Sequence, residues 1–170
     1  ENGGVYRRGF GGTLHIPGDQ KVCLEAFEVL RDHFAGEGVR LELLSAQYRF
    51  ADVAFARKID PDDVRTVVRD HHLPVRVLDT GFAIHLQDPG VSKGTAMRDL
   101  AREMGLLPDE ILAIGDSEND IEMLKAAGVG VAVANAPEPT RSAADWVPRE
   151  SYGDGFIETV KKYYPDLFSR

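Results

Sequence analysis

Two aspartates, an asparagine and a lysine carry the chemistry expected of this chain. Asp116 and Asp120 stand within five residues in Gly115-Asp-Ser-Glu-Asn-Asp120, with Asn119 beside the second. Convergent carboxylates suit a hard divalent cation such as Mg2+, which takes one or two of them and completes its shell with water and substrate oxygens. Backbone N–H groups at a helix start suit a phosphate beside it. Lys93 opens another helix. A cation there opposes the helix dipole, so its position invites a reason. Reaching across to Asp116, Asp120 and a bound phosphate would be one. The plainer reading makes the aspartates helix caps and Lys93 a solvated lysine. Gly-Asp-Ser-Glu-Asn-Asp holds more polar groups than capping requires, so metal or phosphate chemistry is the reading carried forward.

Those residues need elements to hold them. Ile111 to Ile114 is a short apolar run, the pattern of a strand buried on both faces. Ile121, Met123, Leu124 and Ala127 follow with helical spacing. The acidic knot therefore sits at the carboxyl end of a strand, where open α/β sheets bind ligands. Ser92 caps the helix of Lys93, with Ala96, Met97, Leu100, Ala101 and Met104 as its apolar positions. Val129 to Val133 reads as a second buried strand, Trp146-Val147 as a brief one, and Gly153-Asp-Gly155 as the opening of a last helix. Helices alternating with apolar strands predict a doubly wound parallel α/β unit from residue 89 to 170.

Residues 1 to 88 read differently. Val5 to Gly9 and Thr13 to Ile16 predict a hairpin. Asp19 and Asp60-Pro61 start two helices. Val39 to Leu44, Asp52 to Arg57, Val75 to Leu78 and Phe82 to Leu86 predict strands, in the order ββα-ββ-αββ. That is an α+β layer, one sheet face on the helices and the other open.

Other candidates carry less. His71-His72 are neighbours on a helix and face different ways. His15, His33 and His85 have no ligand-spaced partners in sequence. Arg7, Arg8, Arg40, Arg49, Arg57, Lys58 and Arg76 are surface residues by default, some of them able to meet an anionic substrate. Ser45 and Ser92 lack a His/Asp arrangement, and no Walker or dinucleotide glycine fingerprint occurs. Cys23 lies on the apolar face Val22-Cys23-Ala26-Phe27-Leu30-Phe34, a packing position.

Composition bounds the class. The 170 residues carry a net charge of −8, which argues against bulk binding to nucleic acid or an anionic membrane. A small anion held by a metal and a few basic groups remains open. The single cysteine excludes an internal disulfide. With no signal peptide or spanning run legible, the cytoplasm is the default expectation.

Lys93, strand-Gly-Asp116-Ser-Glu-Asn119-Asp120, and Val129-Gly-Val-Ala-Val-Ala-Asn-Ala136 together resemble the haloacid dehalogenase-like phosphatases. The match is to the branch with a large inserted cap, and within it to the archaeal phosphoglycolate phosphatases. Sugar phosphatases are near neighbours. The resemblance covers nearly the whole chain. It implies that residues 1–88 form the cap and 89–170 the C-terminal part of the Rossmann-like core. It implies Mg2+ bound by Asp116 and Asp120, directly or through water, a phosphate held by Lys93, and Asn119 orienting the phosphate or the metal's water. The substrate would be a small phosphorylated metabolite, phosphoglycolate first and a sugar phosphate second. An aspartyl-phosphate intermediate is implied as well.

The chain departs from that pattern in one respect. The nucleophile motif, Asp-x-Asp followed by Gly-Thr, is absent. Asp60-Pro-Asp62 has the spelling but lies at a helix start without the Gly-Thr. The expectation is a chain lacking the N-terminal part of the core and inactive alone. The competing reading is a module that binds a phosphate ligand without turnover.

Overall fold

Short polar signals set the helix boundaries, and apolar faces then pack them. In the computed structural model, which describes residues 1–168, the chain divides into two compact units, Glu1–Val91 and Ser92 onward. No helix of the described residues is long and apolar enough to cross a membrane.

In the first unit β1 (Tyr6–Arg7) and β2 (Leu14–His15) form the hairpin. Helix α1 (Gln20–Gly36) starts where the Asp19 carboxylate accepts the backbone N–H groups of Lys21 and Val22. Helix α2 (Pro61–Asp70) starts on Asp60, whose side chain accepts from the Asp62 N–H, with Pro61 in the first turn. Three antiparallel strands, β3 (Asp52–Ala56), β4 (Arg76–Asp79) and β5 (Ala83–Gln87), pair in the order β3-β5-β4. Val53, Phe55, Ile84 and Leu86 meet Cys23, Phe27, Leu30 and Phe34 of α1 and Val64, Val67 and Val68 of α2 in one core. Each large side chain buried there contributes about 1.5–3 kcal/mol.

Two expectations for this unit are corrected. Val39 to Leu44 is not a strand; only Leu43 bridges, to Phe55. The Leu44 N–H reaches the Ala54 carbonyl, and Ser45 then takes a left-handed φ of 54° that turns the chain off the sheet. The order is therefore ββα-β-αββ. Nor is the second sheet face open. Asp52, Ala54, His85 and Gln87 occupy it and all are buried.

In the second unit α3 (Lys93–Met104) precedes β6 (Leu112–Gly115), a 3-10 turn over Glu118–Asp120 and α4 (Ile121–Ala126). Strand β7 (Val129–Ala132) lies parallel to β6 in the register Leu112↔Val129 through Gly115↔Ala132. Trp146 adds a single parallel bridge to Val131, less than the brief strand expected there. Helices α5 (Glu138–Ser142) and α6 (Tyr152–Tyr163) complete the unit. This is the α/β core that the alternating pattern predicts.

Candidate active site

Everything that gathers at the tip of β6 follows from a capped helix, a bare glycine and a folded-back carboxylate. Ser92 and Thr95 form a capping box at the start of α3: the Thr95 N–H donates to Ser92 Oγ at 3.1 Å, and the Ser92 N–H to Thr95 Oγ1 at 2.7 Å. That fixes the first turn and the launch point of Lys93. Gly94 brings the same turn against α4, where an added Cβ would stand 2.7 Å from the Glu122 carbonyl carbon.

At the end of β6, Gly115 makes room for Asp120. A Cβ on Gly115 would lie 2.5 Å from Asp120 Cβ and 2.8 Å from its carboxyl carbon. With no side chain there, Asp120 folds back under the strand tip and is buried. Its Oδ2 accepts the backbone N–H groups of Asp116 at 3.1 Å and Ser117 at 3.2 Å. Its Oδ1 accepts from Lys93 Nζ at 2.6 Å. Both oxygens of this buried carboxylate are thus matched by a cation and two N–H donors, the condition for burying a charge.

Lys93 Nζ also donates to Asn119 Oδ1 at 3.1 Å, and Ser117 Oγ donates to the same oxygen at 2.6 Å. Lys93, Asp116 and Asp120 line one cleft of about 470 Å³ with Ile114, Gly115, Val133, Tyr152, Gly153 and Phe156. Asp116 is exposed, and among the described residues no hydrogen bond or ion pair engages its carboxylate. The four residues singled out in the sequence therefore surround one strand tip, but not as equals. Asp120 is internally satisfied, whereas Asp116 faces outward.

This division decides how a cation would fit. No group of three or more His, Cys, Asp or Glu side chains suited to a metal occurs among the described residues. Mg2+ does not require one, since it binds through one or two carboxylates and keeps waters or substrate oxygens. The oxygen donors present are of the right kind. Asp116 offers a free carboxylate, and Asp120 has already spent its oxygens on Lys93 and two amides.

A second polar cluster was not legible in the sequence. In the first unit Arg49 Nε stands 3.0 Å from Asp52 Oδ1, and His85 Nδ1 lies 3.2 Å from Asp52 Oδ2 and 3.0 Å from an Arg49 NH2 nitrogen. Asp52 is fully buried and His85 nearly so. His85 is not the isolated histidine its sequence neighbourhood suggests. The pairing of Ala54 with His85 across β3 and β5 sets it diagonally beside Asp52.

A family model described as haloacid dehalogenase-like hydrolase matches residues 53–160. A phosphoglycolate phosphatase of Methanoculleus marisnigri is 78% identical over 170 residues, which span all of this chain and 73% of the relative. One from Archaeoglobus fulgidus is 39% identical over 161 residues, spanning 95% of this chain and 69% of that protein. Among solved structures, a Thermoplasma acidophilum protein superposes with a TM-score of 0.77 at 26% identity, over 96% of this chain and 70% of that one. A phosphatase of the same superfamily from Bacteroides thetaiotaomicron superposes with a TM-score of 0.71 at 21% identity, over 89% of this chain and 68% of that one, and speaks for the fold alone.

Proposed function

Because this chain belongs to the haloacid dehalogenase-like hydrolases, as one of their phosphatases, we propose that the β6 tip receives the phosphate of phosphoglycolate. The observation that carries the reading is the Lys93 ammonium held at 2.6 Å from Asp120 at the wall of a cleft shared with Asp116. The substrate is taken from the name its relatives carry. Residues 1–88 act as the cap in this reading, and 89–170 supply the core.

Each residue then has a task. Lys93 donates to a phosphate oxygen, with the N-terminus of α3 adding positive potential at the same spot. Asp120 holds the ammonium in place. Asn119 steadies Lys93 from its other side. Asp116 would be the direct ligand of Mg2+, and Asp120, whose oxygens are taken, would act on the ion only through water. Bound there, Mg2+ would neutralise phosphate charge as a Lewis acid. The Asp-x-Asp nucleophile of the family pattern is not among these 170 residues. The residues present accordingly serve the binding half of the reaction.

Calorimetric titration of this chain with phosphoglycolate and with inorganic phosphate, with and without Mg2+, tests the reading. Binding should weaken about tenfold or more in Lys93→Met, as expected when a charged hydrogen bond is removed. Its Mg2+ dependence should vanish in Asp116→Asn. Affinities indifferent to both substitutions would remove the site.

A further inference from the structure

Resting on that reading of the Lys93 cleft, we infer that Tyr152 is its specificity-determining residue, whose phenol hydroxyl donates to the carboxylate of the bound phosphate ester. Phosphoglycolate brings two anionic groups, and one ammonium does not serve both. Lys93 Nζ has three N–H donors. Two go to Asp120 Oδ1 at 2.6 Å and Asn119 Oδ1 at 3.1 Å, which leaves one for a phosphate oxygen. The rest of the wall offers the other end of the ligand little. Asp116 and Asp120 are carboxylates, and Ile114, Val133 and Phe156 are apolar. Among the described residues lining the cleft, Tyr152 is the one further side-chain donor. A carboxylate placed there without a donor loses its water for nothing.

The backbone is built to keep that side chain at the cleft. Tyr152 opens α6 with a left-handed φ of 53°. A bulky residue takes that conformation at a cost glycine escapes. Such strain persists only where the surroundings over-determine it, and here they do. The Tyr152 N–H donates to Asn135 Oδ1 at 2.7 Å, while Ser151 makes no side-chain cap of its own. Asn135 stands in the loop after β7, and that loop is tied on two sides. The Val133 N–H donates to the Gly115 carbonyl at 3.1 Å, and the Ala134 N–H to the Glu150 carbonyl at 3.2 Å. Tyr152 is thereby fixed relative to the strand tip that carries Asp116. Its side chain is not spent on packing. Tyr152 is 73% exposed, and among the described residues no hydrogen bond engages its hydroxyl.

Calorimetric titration with phosphoglycolate, ethyl phosphate and inorganic phosphate in the presence of Mg2+ reads this role. Ethyl phosphate keeps the ester and lacks the carboxylate. Tyr152→Phe removes one hydroxyl and leaves the backbone bond to Asn135 in place. It should weaken phosphoglycolate about tenfold, as loss of a hydrogen bond to a charged group does. It should not weaken ethyl phosphate or inorganic phosphate. Equal losses for all three ligands overturn the inference, and so does an undiminished affinity for phosphoglycolate. A spectroscopic readout checks the contact in the parent chain. With tyrosine carrying 13C at Cζ, phosphoglycolate should shift the Tyr152 resonance (assigned by its absence in Tyr152→Phe), and ethyl phosphate should not. A resonance moved equally by both ligands, or by neither, also overturns the contact. Lys93→Met keeps the two readings apart, since it should weaken all three ligands. If it weakens none, the phosphate site itself fails. If it weakens all three while Tyr152→Phe weakens none, the site stands and the role of Tyr152 falls.

Discussion

Cys23 shows how far burial alone can silence a reactive group. Its thiol is fully buried on α1 and is pushed up from 9.0 to about 12, chiefly by burial and then by the Asp52 and Asp88 carboxylates. The raised value means that the folded state favours the neutral thiol. Stability from this group is therefore complete below about pH 9 and is lost as pH climbs toward 12, because the unfolded chain releases the proton first. The loss runs at about 1.4 kcal/mol per pH unit. Urea unfolding of the parent and of Cys23→Ala, compared at several values above pH 9, isolates it from the other titrating groups. The parent should lose ground to the variant with each step, and a constant difference would refute the assignment. At this scale the sequence was informative where chemistry is local. Asp116, Asn119 and Asp120 lie within five residues, and Lys93 betrays itself by opposing its own helix dipole. Arg49, Asp52 and His85 gave no such sign. His85 is 33 residues from Asp52 and meets it only through the register of β3 on β5. Ser117 was visible as part of the knot, but which atom its hydroxyl serves is a matter of side-chain geometry.

Helix α3 does more than carry Lys93; its distance from α4 sets how far the ammonium must reach. Gly94 fixes that distance, since a Cβ there would stand 2.7 Å from both the carbon and the oxygen of the Glu122 carbonyl. Backbone cannot yield as a side-chain end can. Gly94→Ala should force the two helices apart at a cost of about 1–3 kcal/mol. It should also pull Lys93 off Asp120, weakening inorganic phosphate. Gly36, the last residue of α1, is the control. Nothing lies within 4 Å of a Cβ there, so Gly36→Ala should be neutral or stabilise by up to about 1 kcal/mol. Melting curves of the two variants with phosphate titrations settle the matter; an innocuous Gly94→Ala would mean that the spacing is not set there. Elements were well legible where caps and periodicity agree, as at Asp19, Asp60 and Ser92. They misled at Val39 to Leu44, where alternation is real but Ser45 ends pairing after one bridge. A local pattern cannot show where a chain will be turned away.

The two units hold unequal cores. The first gathers Phe27, Phe34, Phe55, Leu30, Ile84 and Leu86 with eight further buried residues, whereas the second centres on Leu124 with Ala113, Ala132 and Ala136. Side chains of phenylalanine size contribute several times what a buried alanine does, so the second unit should open first. The only tryptophan, Trp146, sits in that unit, edge-on to Tyr163 and with Lys162 Nζ 3.9 Å from its ring centre. Its fluorescence should change at lower urea than hydrogen exchange in β3 and β5 reports for the first unit. Leu124→Ala should move the Trp146 transition by about 2–5 kcal/mol. Leu30→Ala should move the other. Ligand linkage sharpens the distinction. Inorganic phosphate at about 100 times its Kd stabilises whatever binds it by about 2.7 kcal/mol. Every residue of the proposed phosphate site lies beyond Ser92, so that increment belongs to the Trp146 transition. If phosphate, Leu30→Ala and Leu124→Ala all shift one common transition, the chain folds as a single cooperative body and the partition fails. If phosphate moves the Trp146 transition alone, the β6 tip binds without help from the first unit's stability.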